Sequence, residues 1–265
     1  MKIGFIGAGN MATAIISGIL DAKYVNNKEI YVNSRTLTKV NELENKYNII
    51  SCKDKIELVS KVDIIVLAVK PSQYKGVIDI IKDCDYSNKV IVSIAAGLSI
   101  QNIRDMFNKD IKIVRCMPNT PVSVREGMTG ICSNELVSEI ELGYILDMFE
   151  TIGKAEVIDE KCMDAVVAVS GSSPAYIYIL IEAMADAAVL EGISREKAYK
   201  FAAQAVLGSA KMVLETGEHP GELKDKVCSP SGTTIEAVKV LENRGFRSSI
   251  IEAMSACADK SRKLS

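Results

Sequence analysis

Tryptophan is absent and histidine occurs once, at His219, in a chain of 265 residues. That count excludes a catalytic triad built on histidine and a metal centre with several histidine ligands. The seven cysteines, Cys52, Cys84, Cys116, Cys132, Cys162, Cys228 and Cys257, are odd in number and never form a CxxC pair. Neither a disulfide framework nor a zinc cluster is expected, and the thiols read as reduced and mostly buried. An excess of one charge is missing too, with 32 Lys+Arg against 34 Asp+Glu and a net charge of −2. There is no basic footprint for nucleic acid or an anionic membrane, so a small molecule is the expected partner. No basic segment precedes the first apolar run, Lys2–Ile6, and the most apolar long stretch, Ala175–Leu190, is broken by Glu182 and Asp186. A cytoplasmic, soluble protein without signal peptide or membrane span is expected.

With 48% apolar residues the chain can bury a full core. Its first half alternates short apolar runs with amphipathic segments: Ile3–Ile6, Ile30–Val32, Ile64–Val69, Val90–Ile94 and Ile111–Arg115 as strands, with helices starting at Asn10, Leu37, Ser72 and Ser99 between them. This is the pattern of an α/β, Rossmann-like, doubly wound and mostly parallel sheet. The segment from Gly127 to Val157 reads as strand, helix and strand at its far edge. From about Glu160 the strand pattern ends and Ala-rich helical segments follow, near Lys161–Val169, Pro174–Glu191, Ser194–Glu215, Thr234–Glu242 and Phe246–Leu264. Two domains are expected, residues 1–159 and residues 160–265, the second all-α. A helical bundle with so few aromatics to fill a core is expected to pack on a second copy of itself, at least as a dimer.

Gly7-Ala8-Gly9-Asn10-Met11-Ala12 lies between a strand and a helix, the context of a dinucleotide fingerprint. Gly7 would allow the tight turn, Gly9 the approach of a pyrophosphate, and Ala12 close packing of helix on sheet. The second strand ends in Asn33-Ser34-Arg35-Thr36 with no acidic residue to hold a ribose 2′-OH. A guanidinium with hydroxyl and amide neighbours suits a 2′-phosphate, so NADPH is expected over NADH, with NADH possible. Ala68-Val69-Lys70-Pro71, Ala95-Ala96-Gly97 and the rigid loop Pro118-Asn119 follow later strands at their carboxyl ends, where open α/β sheets bind ligands. Small residues there would admit a nicotinamide ribose, and Lys70 would anchor a ribose or a phosphate.

The second half holds two turn-and-helix segments. In Pro220–Glu236 a tight Ser-Pro-Ser-Gly turn precedes Thr233 and Thr234; Thr233 is expected as N-cap, with Glu236 completing a capping box. A helix beginning near Thr234 would offer free N–H groups to a small carboxylate. In Ser170-Gly171-Ser172-Ser173-Pro174 the proline favours a helix start. Its plain role is capping; its sharper one is to face the other turn across a substrate pocket as a cage of donors without a strong base. Glu182 and Asp186 share a helix face and read as solvated or interfacial acids, and His219 as a turn residue.

Over nearly its whole length the chain resembles the pyrroline-5-carboxylate reductases: GFIGAGNMA, AVKP, SIAAG, RCMPNTP, SGSSPAY and HPGELKDKVCSPSGTTIEA stand in that family's order and spacing. The resemblance implies a Rossmann-like domain followed by a helical dimerisation domain, with the active site where one subunit's nucleotide domain meets its partner's helices. It also implies NAD(P)H-dependent reduction of the C=N bond of L-1-pyrroline-5-carboxylate to L-proline, the last step of proline biosynthesis. Thr234 is the implied catalytic residue, donating to the ring nitrogen, while Gly232 and Thr233 hold the carboxylate, with Ser172, Ser173, Val227 and Ser231 beside the substrate. The chain departs from the family at Ser173, where glycine is usual, and at Ser231-Gly232, where a Gly-Gly pair is usual. A serine there costs backbone freedom wherever φ must be positive. A β-hydroxyacid dehydrogenase would need a lysine about one turn into the long helix, and Pro174–Ala188 has none. Another imine reductase, and a catalytically silent nucleotide sensor, are the remaining alternatives.

Overall fold

Four-residue runs made mainly of Ile, Val, Leu and aromatic residues have little polar face to leave in water, so they are stable only where both sides are covered. Ile3–Ile6 (β1), Ile30–Asn33 (β2), Ile64–Leu67 (β4) and Val90–Ser93 (β5) are buried at every position. With Ile50–Ser51 (β3), Lys112–Met117 (β6), Gly127–Ser133 (β7) and Gly153–Val157 (β8) they form one eight-stranded sheet in the order β3-β2-β1-β4-β5-β6-β7-β8. All neighbours run parallel except β6 and β7. The computed structural model describes residues 1–263; Leu264 and Ser265, which close the expected last helix and second domain, lie outside the described residues.

The strand order reverses between β1 and its two neighbours β2 and β4, which opens a crevice beyond the carboxyl end of β1. One layer of core, around Phe5, Ile15, Ile16 and Phe149, lies on one face of the sheet, and a second, around Leu58, Tyr74, Ile78 and Phe107, on the other. In the sheet half a strand and a helix were not expected from the sequence: β3, and the helix Lys55–Lys61, whose N-cap Asp54 accepts from the Glu57 amide at 2.8 Å.

Two compact units divide the chain, one of residues 1–172 with 256–265, the other of residues 173–255. The sheet unit thus runs past residue 159. Met163, Val167 and Ala168 are buried in it, and Glu160 accepts from both the Ile100 amide, at 2.7 Å, and Arg115, at 3.0 Å. The stretch expected as helix over Lys161–Val169 is an α-turn, Met163–Val166, continued by a π-helical turn, Val167–Gly171.

The second unit holds the helices Ser173–Leu190, Arg195–Thr216, Pro220–Val227 and Thr233–Asn243, with Phe246–Arg262 beginning in it. Pro220–Val227 was not expected as a helix, and His219 is its N-cap, accepting from the Gly221 amide at 3.1 Å. Only Ala185, Ala198 and Ala202 form a buried apolar cluster in this unit, while Tyr178, Ile179, Phe201, Leu207, Leu214 and Ile251 stand exposed. By length and composition Glu160–Leu190 is apolar enough to cross a membrane, although Glu182 and Asp186 interrupt it. Asp186 is ion-paired with Arg195.

Candidate functional site

A cleft of about 620 Å³ opens beyond the carboxyl ends of β1, β2 and β4. Gly7, Ala8 and Gly9 form one side, Asn33 to Thr36 another, and Ala68, Val69 and Lys70 a third. Gly7 adopts φ +110, and a Cβ there would stand 2.8 Å from the Ala68 carbonyl oxygen, so this turn admits only glycine. Gly9 is different: its φ is −73 and a Cβ would meet nothing within 4 Å. The protein itself does not require glycine at this position; a ligand approaching the backbone would. Gly9 is the N-cap of the helix Asn10–Asp21 and makes no side-chain cap, so the first amides of that helix are left for an anion.

The charged groups of the wall are all cationic. Arg35, Lys55 and Lys70 line the cleft and no carboxylate does. Lys55 is a residue that sequence reasoning missed. It sits at the first position of the unexpected helix behind Asp54, and the signal that could have located it is the Asp54–Glu57 cap, in which Glu57 also accepts from the Lys53 amide. A pyrophosphate with a further phosphate on its ribose fits this set of donors: open backbone at Gly9, a free helix start, and three cations without a competing acid.

Several expected ligands are engaged elsewhere. The Asn33 side chain is buried and donates to the Cys52 carbonyl at 2.9 Å, fastening β2 to the chain after β3, so its amide is not free for a phosphate. Asn119 is likewise a structural clamp, donating to the Ser170 carbonyl at 3.1 Å and accepting from the Met128 amide at 2.8 Å. Asn10 lies outside the cleft lining and accepts from Lys39 at 2.6 Å. Met11, Pro71, Ala95, Ala96, Gly97 and Pro118 are also outside that lining, Ala95 being buried and Gly97 taking φ +74. Ser172 accepts from the Cys257 thiol at 3.3 Å, and Ser173 is the first residue of the helix Ser173–Leu190. Among the cysteines Cys52, Cys116 and Cys132 are buried and Cys162 is exposed, so burial is less general than expected.

The turn before Thr234 departs from its expected capping. Gly232, not Thr233, is the N-cap of the helix Thr233–Asn243, and no side chain caps it. The Gly232 amide donates to the Ser229 carbonyl at 3.0 Å, closing a turn over Pro230 and Ser231 that brings the chain into the helix one residue early. Thr233 therefore lies inside the first turn, and Glu236 pairs with Lys239 at 3.5 Å instead of reaching back. Ser231 takes φ +57, in the left-handed region that favours glycine; Ser173 is not among the positive-φ residues. Thr234 and Gly232 are half-buried, Thr233 is exposed, and Val227 is exposed at the end of its helix.

Residues 160–264 match the family described as pyrroline-5-carboxylate reductase dimerisation, and residues 2–97 match NADP oxidoreductase, coenzyme F420-dependent. A pyrroline-5-carboxylate reductase of Escherichia coli is 51% identical over 264 residues, covering 100% of this chain and 98% of its own. One of Methanosarcina acetivorans is 41% identical, covering 99% and 97%. Among solved structures, the Plasmodium falciparum pyrroline carboxylate reductase with NADP bound superposes with a TM-score of 0.90 at 34% identity, covering 100% of this chain and 98% of that one.

Proposed function

Because the chain belongs to the pyrroline-5-carboxylate reductase family, we propose that its reaction divides between the cleft around Gly9 and the helix start at Gly232–Thr234. The protein is an NAD(P)H-dependent oxidoreductase that reduces the C=N bond of L-1-pyrroline-5-carboxylate to L-proline, the last step of proline biosynthesis. NAD(P)H, when bound, supplies the hydride. The free amides at Gly9–Met11 hold its pyrophosphate, and Arg35 with Lys55 holds a 2′-phosphate, which makes NADPH the preferred form. Lys70 steadies the ribose next to Ala68.

On the substrate side, the amides of Gly232 and Thr233 bind the carboxylate at the positive end of the helix. The Thr234 hydroxyl donates to the ring nitrogen, and as the hydride reaches the carbon beside it that nitrogen takes up a proton from solvent through this hydroxyl, giving the amine. No strong base is required, because holding the ring carbon in line with the incoming hydride removes much of the barrier. Ser172, Ser173, Val227 and Ser231 shape the surroundings of the ring. We assign substrate binding and self-association to residues 160–265 and nucleotide binding to residues 1–159.

The observation that carries the cofactor half is the open, acid-free wall at Gly9, Arg35 and Lys55. The protein self-associates through its helical half, which accounts for the many exposed apolar side chains there without a membrane or a nucleic acid as partner. We place the enzyme in the cytoplasm as a soluble protein, which cell fractionation tests. For the reaction the decisive assay follows NADPH oxidation with pyrroline-5-carboxylate beside a panel of other cyclic imines and keto acids. Turnover of keto acids without turnover of the imine would refute the assignment.

A further inference from the structure

Three hydrogen bonds run in series between the carboxyl ends of β4 and β5. The two strands pair in register as far as Leu67 and Ser93. The next rung is long, the Ile94 amide standing 3.5 Å from the Leu67 carbonyl. Tyr74 completes it: its ring is fully buried, and its hydroxyl donates to Leu67 O at 2.7 Å. Ser93 Oγ, equally buried, lies 3.0 Å from Tyr74 Oη and accepts from the Ala95 amide at 3.4 Å. Tyr74 has one proton and gives it to Leu67, so the Ser93 hydroxyl donates to Tyr74. The series thus passes from the Ala95 amide through both hydroxyls to the Leu67 carbonyl, with every group used. Burial pushes the Tyr74 phenol up, which keeps it a donor.

The two ends of this series are the starts of two loops. Leu67 leads directly into Ala68, Val69 and Lys70 on the cleft wall, and Ser93 leads through Ile94 into Ala95-Ala96-Gly97, which follows the neighbouring strand and lies outside the lining of the cleft. Gln73, Gly76 and Val77, on either side of Tyr74, also line the cleft. We propose that Tyr74 and Ser93 are positioning residues that set the spacing of the loops 68–71 and 95–97 for the nicotinamide half of the dinucleotide. The adenosine half, held at Gly9, Arg35 and Lys55, does not depend on them. The inference rests on the cofactor reading above. Hydrogen bonds in series in a dry interior strengthen one another, so losing one member loosens both loops.

Tyr74→Phe removes the hydroxyl and keeps the ring. Calorimetric titration with NADPH and with 2′,5′-ADP, which carries only the adenosine half, separates the two ends of the cleft. We expect NADPH to bind about tenfold more weakly and 2′,5′-ADP to change by less than about twofold. Ser93→Ala should reproduce that pattern if Tyr74→Phe fails to fold, and the double variant should be no weaker than the worse single one, because the two act as one unit. Amide exchange at residues 94–97 should quicken in both. Unchanged NADPH affinity, or equal loss of both ligands, would overturn the inference while leaving the cofactor reading intact. Wild-type protein that bound neither nucleotide would overturn both.

Discussion

The Ala68 carbonyl oxygen stands 2.8 Å from the point where Gly7 would carry a Cβ, whereas Gly9, two residues on, faces open space. The fold therefore demands glycine at Gly7 and not at Gly9, where our proposal assigns the demand to the pyrophosphate. Gly7→Ala combines a left-handed φ with a backbone clash and should cost several kcal/mol, roughly 2–4 °C of Tm for each. Gly9→Ala should leave Tm within about 2 °C and weaken NADPH binding by at least about tenfold. Calorimetry of both variants checks this; a Gly9→Ala protein that binds NADPH normally would remove the pyrophosphate from this position.

Arg35 and Lys55 together should set the cofactor preference. Replacing either with alanine removes a charge-assisted contact worth roughly 1.5–3 kcal/mol, about ten- to a hundredfold in affinity for NADPH. NADH, which lacks the phosphate, should be nearly unaffected. Titrating each variant with both nucleotides gives the answer, and parallel losses of NADH and NADPH would mean that the two side chains serve the pyrophosphate or the fold instead.

Much of this architecture is legible in the sequence because the central strands leave no ambiguity. Ile3–Ile6, Ile64–Leu67 and Val90–Ser93 are too apolar for anything but a covered sheet, and the Gly7–Ala12 run follows the first of them. The edge is harder to read. β3 has two residues, one half-buried and one exposed, too short for any period to show, and with it goes the helix that carries Lys55. At Asn33 and Asn119 the residue type points to a ligand while the actual partners, Cys52 and Ser170, are distant in sequence. The capping of the last turn is misread for a local reason: Thr233 and Gly232 are both acceptable N-caps, and the bond closing the turn at Ser229 decides between them.

Ser231 pays for its left-handed backbone, since an L-residue at φ +57 is less stable there than glycine. Ser231→Gly should therefore raise stability by about 0.5–1 kcal/mol, the gain in the folded state outweighing the added freedom of the unfolded chain. Denaturant titration measures it. A destabilised Ser231→Gly protein would mean that the serine hydroxyl contributes more than the backbone loses.

The second unit buries so little of its apolar surface that a lone chain should be poorly stable. Light scattering at micromolar concentration is expected to report a dimer or a larger assembly and no active species of 28.8 kDa. Charging one exposed apolar face, by Leu207→Asp with Leu214→Asp, should lower both the assembly mass and Tm. A fully active monomer would contradict the packing argument.

Thr233 and Thr234 are neighbours with separable roles. Since Gly232 is the N-cap and Thr233 makes no capping bond, Thr233→Ala should change stability by less than about 0.5 kcal/mol. Thr234, half-buried in the first turn, is assigned to the ring nitrogen. Thr234→Ala should lower kcat/KM for the imine by about tenfold or more, the effect of one hydrogen bond to a group that gains charge, with NADPH affinity unchanged. Thr234→Ser, which keeps the hydroxyl, should restore most of the activity. A Thr234→Ala enzyme that unfolds early yet turns over normally would make this side chain structural, and would move the contact with the ring nitrogen to another residue of the turn.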